Sequence, residues 1–216
     1  MYSRLSLLLI LFAYACVQPA PDCPCDCGEQ LVEGSDRTAW QKPGTVIQTL
    51  GDLEEKVVAD IGAGHGFFAL RLARLADRVI AIDVTQENID ILASQRDLEL
   101  PQGQRGRLEP RLAPYEHPNL APEEVDAVLF VNTFYAIQSA DYLRRVLPGM
   151  KPGARMVIVD WKDQSFEYEP PNIIPRSERI AIGETQDMLE EAGFRLVRSY
   201  DDALQFQYIV VAEKAR

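Results

Sequence analysis

Cysteine and histidine are scarce in this sequence. All four cysteines lie at or before Cys27, and the two histidines are His65 and His117. Zinc sites need about four ligands at characteristic spacings, and these residues supply no such set, so no metal site is predicted. The run Cys23-Pro24-Cys25-Asp26-Cys27 leaves two interpretations open. It is either a soft-metal or redox cluster, or a group of tether thiols, and the odd number of thiols favours the second.

Positive charge is the second deficit. The chain has 22 Lys and Arg against 33 Asp and Glu, a formal net charge of −11. Polyphosphate repels such a chain, so nucleic acid is not predicted as a partner. The nearest approach to a basic patch flanks the turn Pro101–Gly106 and is interpreted as a solvated loop; its members are Arg96, Arg105, Arg107 and Arg111. The acidic balance favours a small or neutral substrate.

The hydrophobic run at the amino terminus is shorter than a membrane-spanning helix. Leu5–Ala15 follows one positive charge at Arg4 and has about half of the roughly 20 residues that a membrane-spanning helix needs. This pattern predicts an export signal over residues 1–15. Cys16 comes next and resembles the acylated first residue of a bacterial lipoprotein. The chain is then expected in the cell envelope, periplasmic or outer-membrane, touching the membrane only through that anchor.

Two alternatives to the lipid anchor stay open: plain secretion, or a cytoplasmic protein with a wrongly assigned start. Residues 16–36 are rich in Pro, Asp and Gly and are predicted to be a tether. Residues 37–216 have the length of one globular domain, and the sequence shows no internal repeat.

From Ser35 onward, short apolar runs alternate with stretches of helical periodicity. This alternation predicts a mostly parallel sheet with helices on both faces. Strands are predicted at Lys56–Ile61, Arg78–Asp83, Leu108–Leu112, Asp126–Val131, Ala154–Trp161, Arg195–Tyr200 and Phe206–Val211. Helices are predicted at Thr38–Leu50 (interrupted near Pro43), Phe67–Leu75, Glu87–Leu98, Ala140–Leu147 and Glu184–Ala192.

A glycine-rich turn joins the first strand to the next helix. Gly62, Gly64 and Gly66 are spaced G-x-G-x-G, whereas the dinucleotide fingerprint has its third glycine one place later. Glycine takes positive φ without a Cβ clash and lets a ligand lie against bare backbone. Asp60 precedes this turn, where it would repel a pyrophosphate but favour a cationic ligand. Asp83 ends the second strand, where an acid can accept both ribose hydroxyls.

These residues resemble the first two motifs of class I S-adenosylmethionine-dependent methyltransferases. Val125–Leu129 resembles the fourth strand of that family, and Leu147–Arg155 resembles the turn before its fifth strand. Trp40–Pro43 and Pro170-Pro171 resemble a subgroup of bacterial, often exported, members. The resemblance covers residues 37–216. It implies a three-layer, doubly wound, Rossmann-like α/β fold whose seven-stranded sheet has the order 3-2-1-4-5-7-6, with an antiparallel last strand.

The resemblance also implies the cofactor, S-adenosyl-L-methionine, and the residues that contact it. These are Asp60, Gly62, Ala63, Gly64, Gly66, Asp83, Val84 and Asn132, with Glu116 for the adenine amino group. Glu116 is displaced relative to the family pattern, so the alternative that this acid is absent stays open.

No catalytic diad is expected, because methyl transfer from a sulfonium mainly needs alignment and the exclusion of water. The weak catalytic candidates are Tyr135, after the fourth strand, and Asp160, at the end of the fifth. Tyr135 is alternatively an ordinary half-buried aromatic residue, and Asp160 a loop cap. The predicted activity is methyl transfer to a small molecule. The alternatives are a non-catalytic module that keeps the fold to bind a nucleoside-like ligand or a partner, and a dinucleotide oxidoreductase.

Overall fold

The computed structural model describes residues 36–215. The predicted export signal, the lipid attachment at Cys16 and the three tether cysteines lie outside the described residues. Within residues 36–215, no helix combines the length and the apolar character that crossing a membrane requires. The same residues contain no cluster of His, Cys, Asp and Glu side chains arranged to hold a metal ion.

In the part of the chain that the structure describes, seven strands form one sheet in the order β3-β2-β1-β4-β5-β7-β6. Their bounds are β1 Val57–Ile61, β2 Arg78–Asp83, β3 Leu108–Leu112, β4 Val125–Val131, β5 Met150–Trp161, β6 Phe194–Tyr200 and β7 Gln207–Lys214. The pairs from β3 to β5 are parallel, and β7 is antiparallel to both β5 and β6. The predicted fold class and strand order are confirmed.

Within the described residues, seven α-helices accompany the strands. They are α1 Arg37–Gln41, α2 Pro43–Thr49, α3 Ala69–Leu72, α4 Gln86–Glu99, α5 Phe134–Ile137, α6 Ala140–Val146 and α7 Ile182–Glu191. Local chemistry sets several of their ends. Lys42 has φ 44° before Pro43 and separates α1 from α2. Thr85 caps α4 by accepting the amide of Asn88, and Gly193, with φ 95°, follows the end of α7.

The apolar side chains pack in two layers, one on each face of the sheet. Helices α2, α3 and α4 cover one face through residues such as Val46, Leu72 and Leu92, all fully buried. Helices α6 and α7 cover the other face through residues such as Leu143 and Leu189. Covering both faces explains why the strand sequences are nearly continuous apolar runs.

Two predicted elements differ in extent from the observed ones. The helix predicted at Phe67–Leu75 is regular only over Ala69–Leu72. The chain then turns, with backbone hydrogen bonds from the amide of Arg74 to the carbonyl of Arg71 and from the amide of Leu75 to the carbonyl of Leu72. Strand β5 begins earlier than predicted, at Met150, because Met150 pairs with Val125 before a register shift in β4.

Candidate functional site

The turn after β1 has the backbone conformation that only glycine adopts readily. Gly62, Gly64 and Gly66 have φ values of 78°, 52° and 90°. A Cβ at Gly62 would overlap the side chain of Thr133, and one at Gly66 would lie 2.5 Å from the Leu92 Cδ1 atom. A Cβ at Gly64 would meet nothing within 4 Å. The outer glycines are therefore required by packing, while Gly64 presents its backbone to open space.

Asp83 ends β2 beside this turn and is almost fully buried. One carboxylate oxygen accepts the Gly64 amide at 3.0 Å. The other accepts the Thr85 amide at 3.1 Å and the Asn88 Nδ2 amide at 2.9 Å. Asp83 thus fixes the glycine turn and the start of α4. It also lines a cavity at the end of the strand.

Two cavities adjoin the turn at the carboxyl ends of the strands. The first cavity, of about 280 Å³, is lined by Ile61, Gly62, Ile82, Asp83, Val84, Thr85, Asn88, Ala113, Pro114, Tyr115, Asn132, Thr133, Tyr135, Ala136, Ile137 and Tyr142. The second cavity, of about 250 Å³, is lined by Arg37, Trp40, Gly62, Ala63, Gly64, His65, Val131, Asn132, Trp161, Pro171 and Asn172. Gly62 and Asn132 line both, so the two cavities meet beside the glycine turn.

Asn132 lies where the two cavities meet, and its backbone has a strained conformation. It follows β4 with φ 53°, and its amide donates to the carbonyl of Val159 at 2.9 Å. Its side-chain oxygen accepts from the amide of Gln207, which is fully buried. A non-glycine residue with positive φ at a cavity junction is typical of a functional position.

Asp60 is buried one residue before the end of β1. It is 3% exposed, and within residues 36–215 its Oδ2 oxygen has no hydrogen-bond partner. Burial raises the pKa of its carboxyl to about 7, against the opposing effect of the nearby Arg37 guanidinium. An unpartnered buried oxygen is costly, which makes Asp60 a candidate for binding a cationic group, although it lies outside the linings of both cavities.

The other predicted cofactor residues divide between the cavities and the surface. Ala63 lines the second cavity, and Val84 lines the first with 52% of its surface exposed. Glu116 lies outside both linings; its side chain is exposed, and only its carbonyl is engaged, by Arg145. In the loop after β3 the cavity is lined instead by Ala113, Pro114 and Tyr115.

The catalytic candidates lie close together, but their contacts differ. Asp160 is fully buried and accepts the backbone amides of Tyr135 and Trp161, each at 2.8 Å. These bonds hold the start of α5 against β5, which is the behaviour of a loop cap. Burial raises the pKa of Asp160 to about 7. Tyr135 lines the first cavity, and burial together with Asp160 raises the pKa of its phenol.

Arg37 and Asn88 line the cavities although the sequence did not indicate them as site residues. The sequence gave a weak indication for Asn88, because this residue lies in the first turn of the helix that Thr85 caps, shortly after Asp83. Arg37 carried none, because an arginine at the start of a short helix is ordinarily solvated.

Comparisons with known proteins concern the domain and the fold. A model of a methyltransferase domain matches residues 58–153. A SAM-dependent methyltransferase from Aquifex aeolicus is 25% identical and superposes with a TM-score of 0.72, covering 82% of this chain and 92% of that chain. A methyltransferase from Mesorhizobium loti (13% identity, TM-score 0.63, covering 79% and 96%) has the same fold. No curated protein matches the sequence.

The fold also occurs in a solved protein that carries another name. The 4+2 cyclase SpnF is 16% identical with a TM-score of 0.68, covering 83% of this chain and 82% of that chain. At that identity the likeness concerns the fold alone. A methyltransferase domain model thus matches residues 58–153, and the strand order together with the glycine turn gives the chain the Rossmann-like fold of the solved methyltransferase from Aquifex aeolicus.

Proposed function

We propose that this protein transfers the methyl group of S-adenosylmethionine to a small-molecule acceptor. The observation that carries the proposal is the meeting of the two cavities at Gly62 and Asn132. The first cavity, with Asp83 at its wall, suits the adenosine, whose ribose hydroxyls need a carboxylate acceptor. The second cavity, beside the open backbone of Gly64, suits the amino-acid end. The sulfonium then lies at the junction.

The acceptor enters from the side of β4 and β5, where aromatic rings form the walls. Trp40 stacks on Trp161 with ring centroids 5.5 Å apart, and both are buried. Pro171 and Asn172 complete the lining of the second cavity. A cavity of about 250 Å³ that also holds the amino-acid end leaves room for one small group. These dimensions support a small-molecule acceptor, or a slender group of a larger one, over a folded macromolecular surface.

The chain's own residues align the reactants and exclude water, while the bound cofactor supplies an already activated methyl group. Asp160 does not suit the role of general base, since backbone amides occupy its two oxygens. Tyr135 keeps its proton because of the raised pKa of its phenol, so it can donate a hydrogen bond to the acceptor. The acceptor is therefore expected to be a nucleophile that needs no deprotonation by the enzyme.

Titration and turnover test the proposal. Purified residues 36–216 should bind S-adenosylmethionine and S-adenosylhomocysteine in the micromolar range by calorimetry. A panel of small nitrogen, oxygen and sulfur nucleophiles is then screened for S-adenosylhomocysteine release. Tight binding of a nicotinamide dinucleotide in place of both ligands would refute the methyltransferase function and support an oxidoreductase.

The second candidate function is a non-catalytic module that retains the cofactor site. The observation in its favour is the engaged carboxylate of Asp160, which leaves the site without an evident base. The use of the fold by a protein named as a cyclase is consistent with roles other than methyl transfer. Binding of both ligands without turnover on the whole panel would support this module over the enzyme.

We further propose that the chain is exported and lipid-anchored at Cys16, as the amino-terminal pattern predicts. The test is mass spectrometry of the mature protein from its native host. A diacylated or triacylated amino-terminal cysteine is expected in the membrane fraction. A chain that keeps Met1 in membrane-free extract would contradict the anchor and support the cytoplasmic alternative.

A further inference from the structure

The side-chain amide of Asn132 is held in one orientation where the two cavities meet. Its Oδ1 atom accepts a hydrogen bond from the Nε2 atom of Gln207, which is fully buried at the start of β7. Within residues 36–215 the Nδ2 atom of Asn132 makes no hydrogen bond, and it is not one of the buried polar atoms that lack a partner. The amide therefore has its acceptor engaged inside the protein and its N–H donors open at the junction.

A second hydrogen-bond donor lies in the first cavity. Tyr135 lines it, and within the described residues its phenol oxygen makes no hydrogen bond. Burial, together with Asp160, raises the pKa of this phenol, which therefore keeps its proton. Among the described residues that line either cavity, Asp83 is the single carboxylate, and amide groups already bind it. The junction thus offers donors to a ligand, with no free carboxylate beside them.

We propose that the methyl acceptor is the carboxylate of a small molecule and that the product is its methyl ester. This inference deepens the proposed methyl transfer and rests on it. A carboxyl group has an ordinary pKa of about 4 and is ionised without a base at neutral pH, whereas ammonium, phenol and thiol groups are protonated there. A carboxylate also has two oxygens. One attacks the methyl carbon while the other accepts hydrogen bonds from Asn132 and Tyr135.

A neutral ring nitrogen is the other nucleophile that needs no deprotonation, and the two donors disfavour it. Such a nitrogen has a single lone pair, and a hydrogen bond to that lone pair would block its attack. In ester formation, a bond forms between the carboxylate oxygen and the methyl carbon. The bond between that carbon and the sulfur breaks, and its electron pair stays on the sulfur. No proton moves, which agrees with the occupied oxygens of Asp160.

The test uses the instability of methyl esters in base. The purified protein is incubated with S-adenosylmethionine that is labelled in its methyl group and with benzoate or phenylacetate. Benzylamine and phenethylamine are the matched amines. Mild base releases labelled methanol from a methyl ester but not from a methylated amine. We expect methanol from at least one acid. Methylation of the amines alone, or no methanol from either acid, would overturn the carboxylate class.

Asn132→Asp tests the role of the open amide. It replaces the donor by a carboxylate of the same shape and keeps an acceptor for Gln207. The KM for the acid should rise about 100-fold, because two carboxylates would then face each other. The affinity for S-adenosylhomocysteine should change by less than about fivefold, and this also shows that the variant is folded. Tyr135→Phe should raise the same KM by about tenfold.

Asn119→Asp is the matched control. Asn119 also has a positive φ, of 51°, but it is exposed and lies outside the linings of both cavities. The same change of amide to carboxylate should leave the KM for the acid within about twofold. An unchanged KM in Asn132→Asp, or an equal rise in Asn119→Asp, would overturn the role of the Asn132 amide.

A binding measurement separates recognition of the acid from turnover. With S-adenosylhomocysteine bound, no methyl group is available, and the preferred acid should shift the side-chain amide signal of Asn132 in a magnetic resonance spectrum. That signal is identified by its absence in Asn132→Asp, and benzylamine should leave it in place. A signal that ignores the acid would overturn the contact. Failure of the unmodified protein to bind S-adenosylhomocysteine would instead overturn the proposed function.

Discussion

Charged side chains beside edge strand β3 and those around the glycine turn are arranged in opposite ways. Beside β3, Arg78 and Arg111 bind Glu109 and Glu124 through four contacts of 2.5 to 3.0 Å. The hydrogen bonds from Arg111 lower the pKa of Glu124 to about 2, and the acids raise the pKa of Arg111. Each charge in this network has its counter-charge within the protein.

Around the glycine turn, the charges are held by neutral groups instead. Backbone amides occupy Asp83, an aromatic ring and an amide hold Arg37, and one oxygen of Asp60 has no partner in the described part of the chain. Burial raises the pKa of Asp60 to about 7, opposite in direction to the shift of Glu124. Charges that are compensated within the protein stabilise the fold, while uncompensated charges are available to a ligand.

Removing Asp83 is expected to have the largest effect on binding. Asp83→Ala should weaken S-adenosylhomocysteine and 5′-methylthioadenosine alike by about 100-fold, since both lose their ribose acceptor and the turn loses its anchor. Calorimetry gives the affinities, and circular dichroism checks that the fold persists. The control Asp90→Ala removes an equal charge from the exposed face of α4. Unchanged affinity in Asp83→Ala would contradict the ribose assignment.

A change of pH should have a smaller effect, through Asp60. The ammonium group of the ligand needs the ionised carboxylate, whose pKa of about 7 in the free protein falls on binding. The affinity for S-adenosylhomocysteine should therefore rise about tenfold from pH 6 to pH 8 and level off above the free-protein pKa. Arg37 and Asp83 are the charged groups that face Asp60.

Two variants test whether Asp60 or the nearby His65 causes the pH dependence. Asp60→Asn should give a flat pH profile of lower affinity. His65 also lines the second cavity, so His65→Gln serves as the control and should retain the slope. A slope that disappears in His65→Gln and persists in Asp60→Asn would assign the titration to the histidine.

The smallest effect is expected from the network beside β3, and on stability alone. Glu124→Gln should lower the free energy of unfolding by about 1 kcal/mol at pH 7 and leave cofactor affinity unchanged. Because the pKa of Glu124 is depressed, its contribution is present above pH 4.5 and is lost as the pH falls toward about 2. Urea unfolding at several pH values measures this. A loss of ligand affinity in Glu124→Gln would erase the distinction between the two groups of charges.

Sequence reasoning placed the backbone elements well but left part of the site unassigned. The glycine spacing predicted the turn. The pattern of apolar residues predicted every strand to within a few residues, except the start of β5. The displaced acid Glu116 was assigned by likeness to a family pattern. The structure turns its side chain to the surface, where Arg145 binds the carbonyl of the same residue.

The sequence by itself determined the order of elements, the positive-φ turn and the acid at the end of β2, because these depend on local conformation and on the period of apolar residues. The tertiary structure decided which distant groups meet. It brought Arg37 of α1 beside Asp60 and turned the oxygens of Asp160 toward the amides of Tyr135 and Trp161. Such contacts follow from strand order and helix packing, and neighbouring residues along the chain do not encode them.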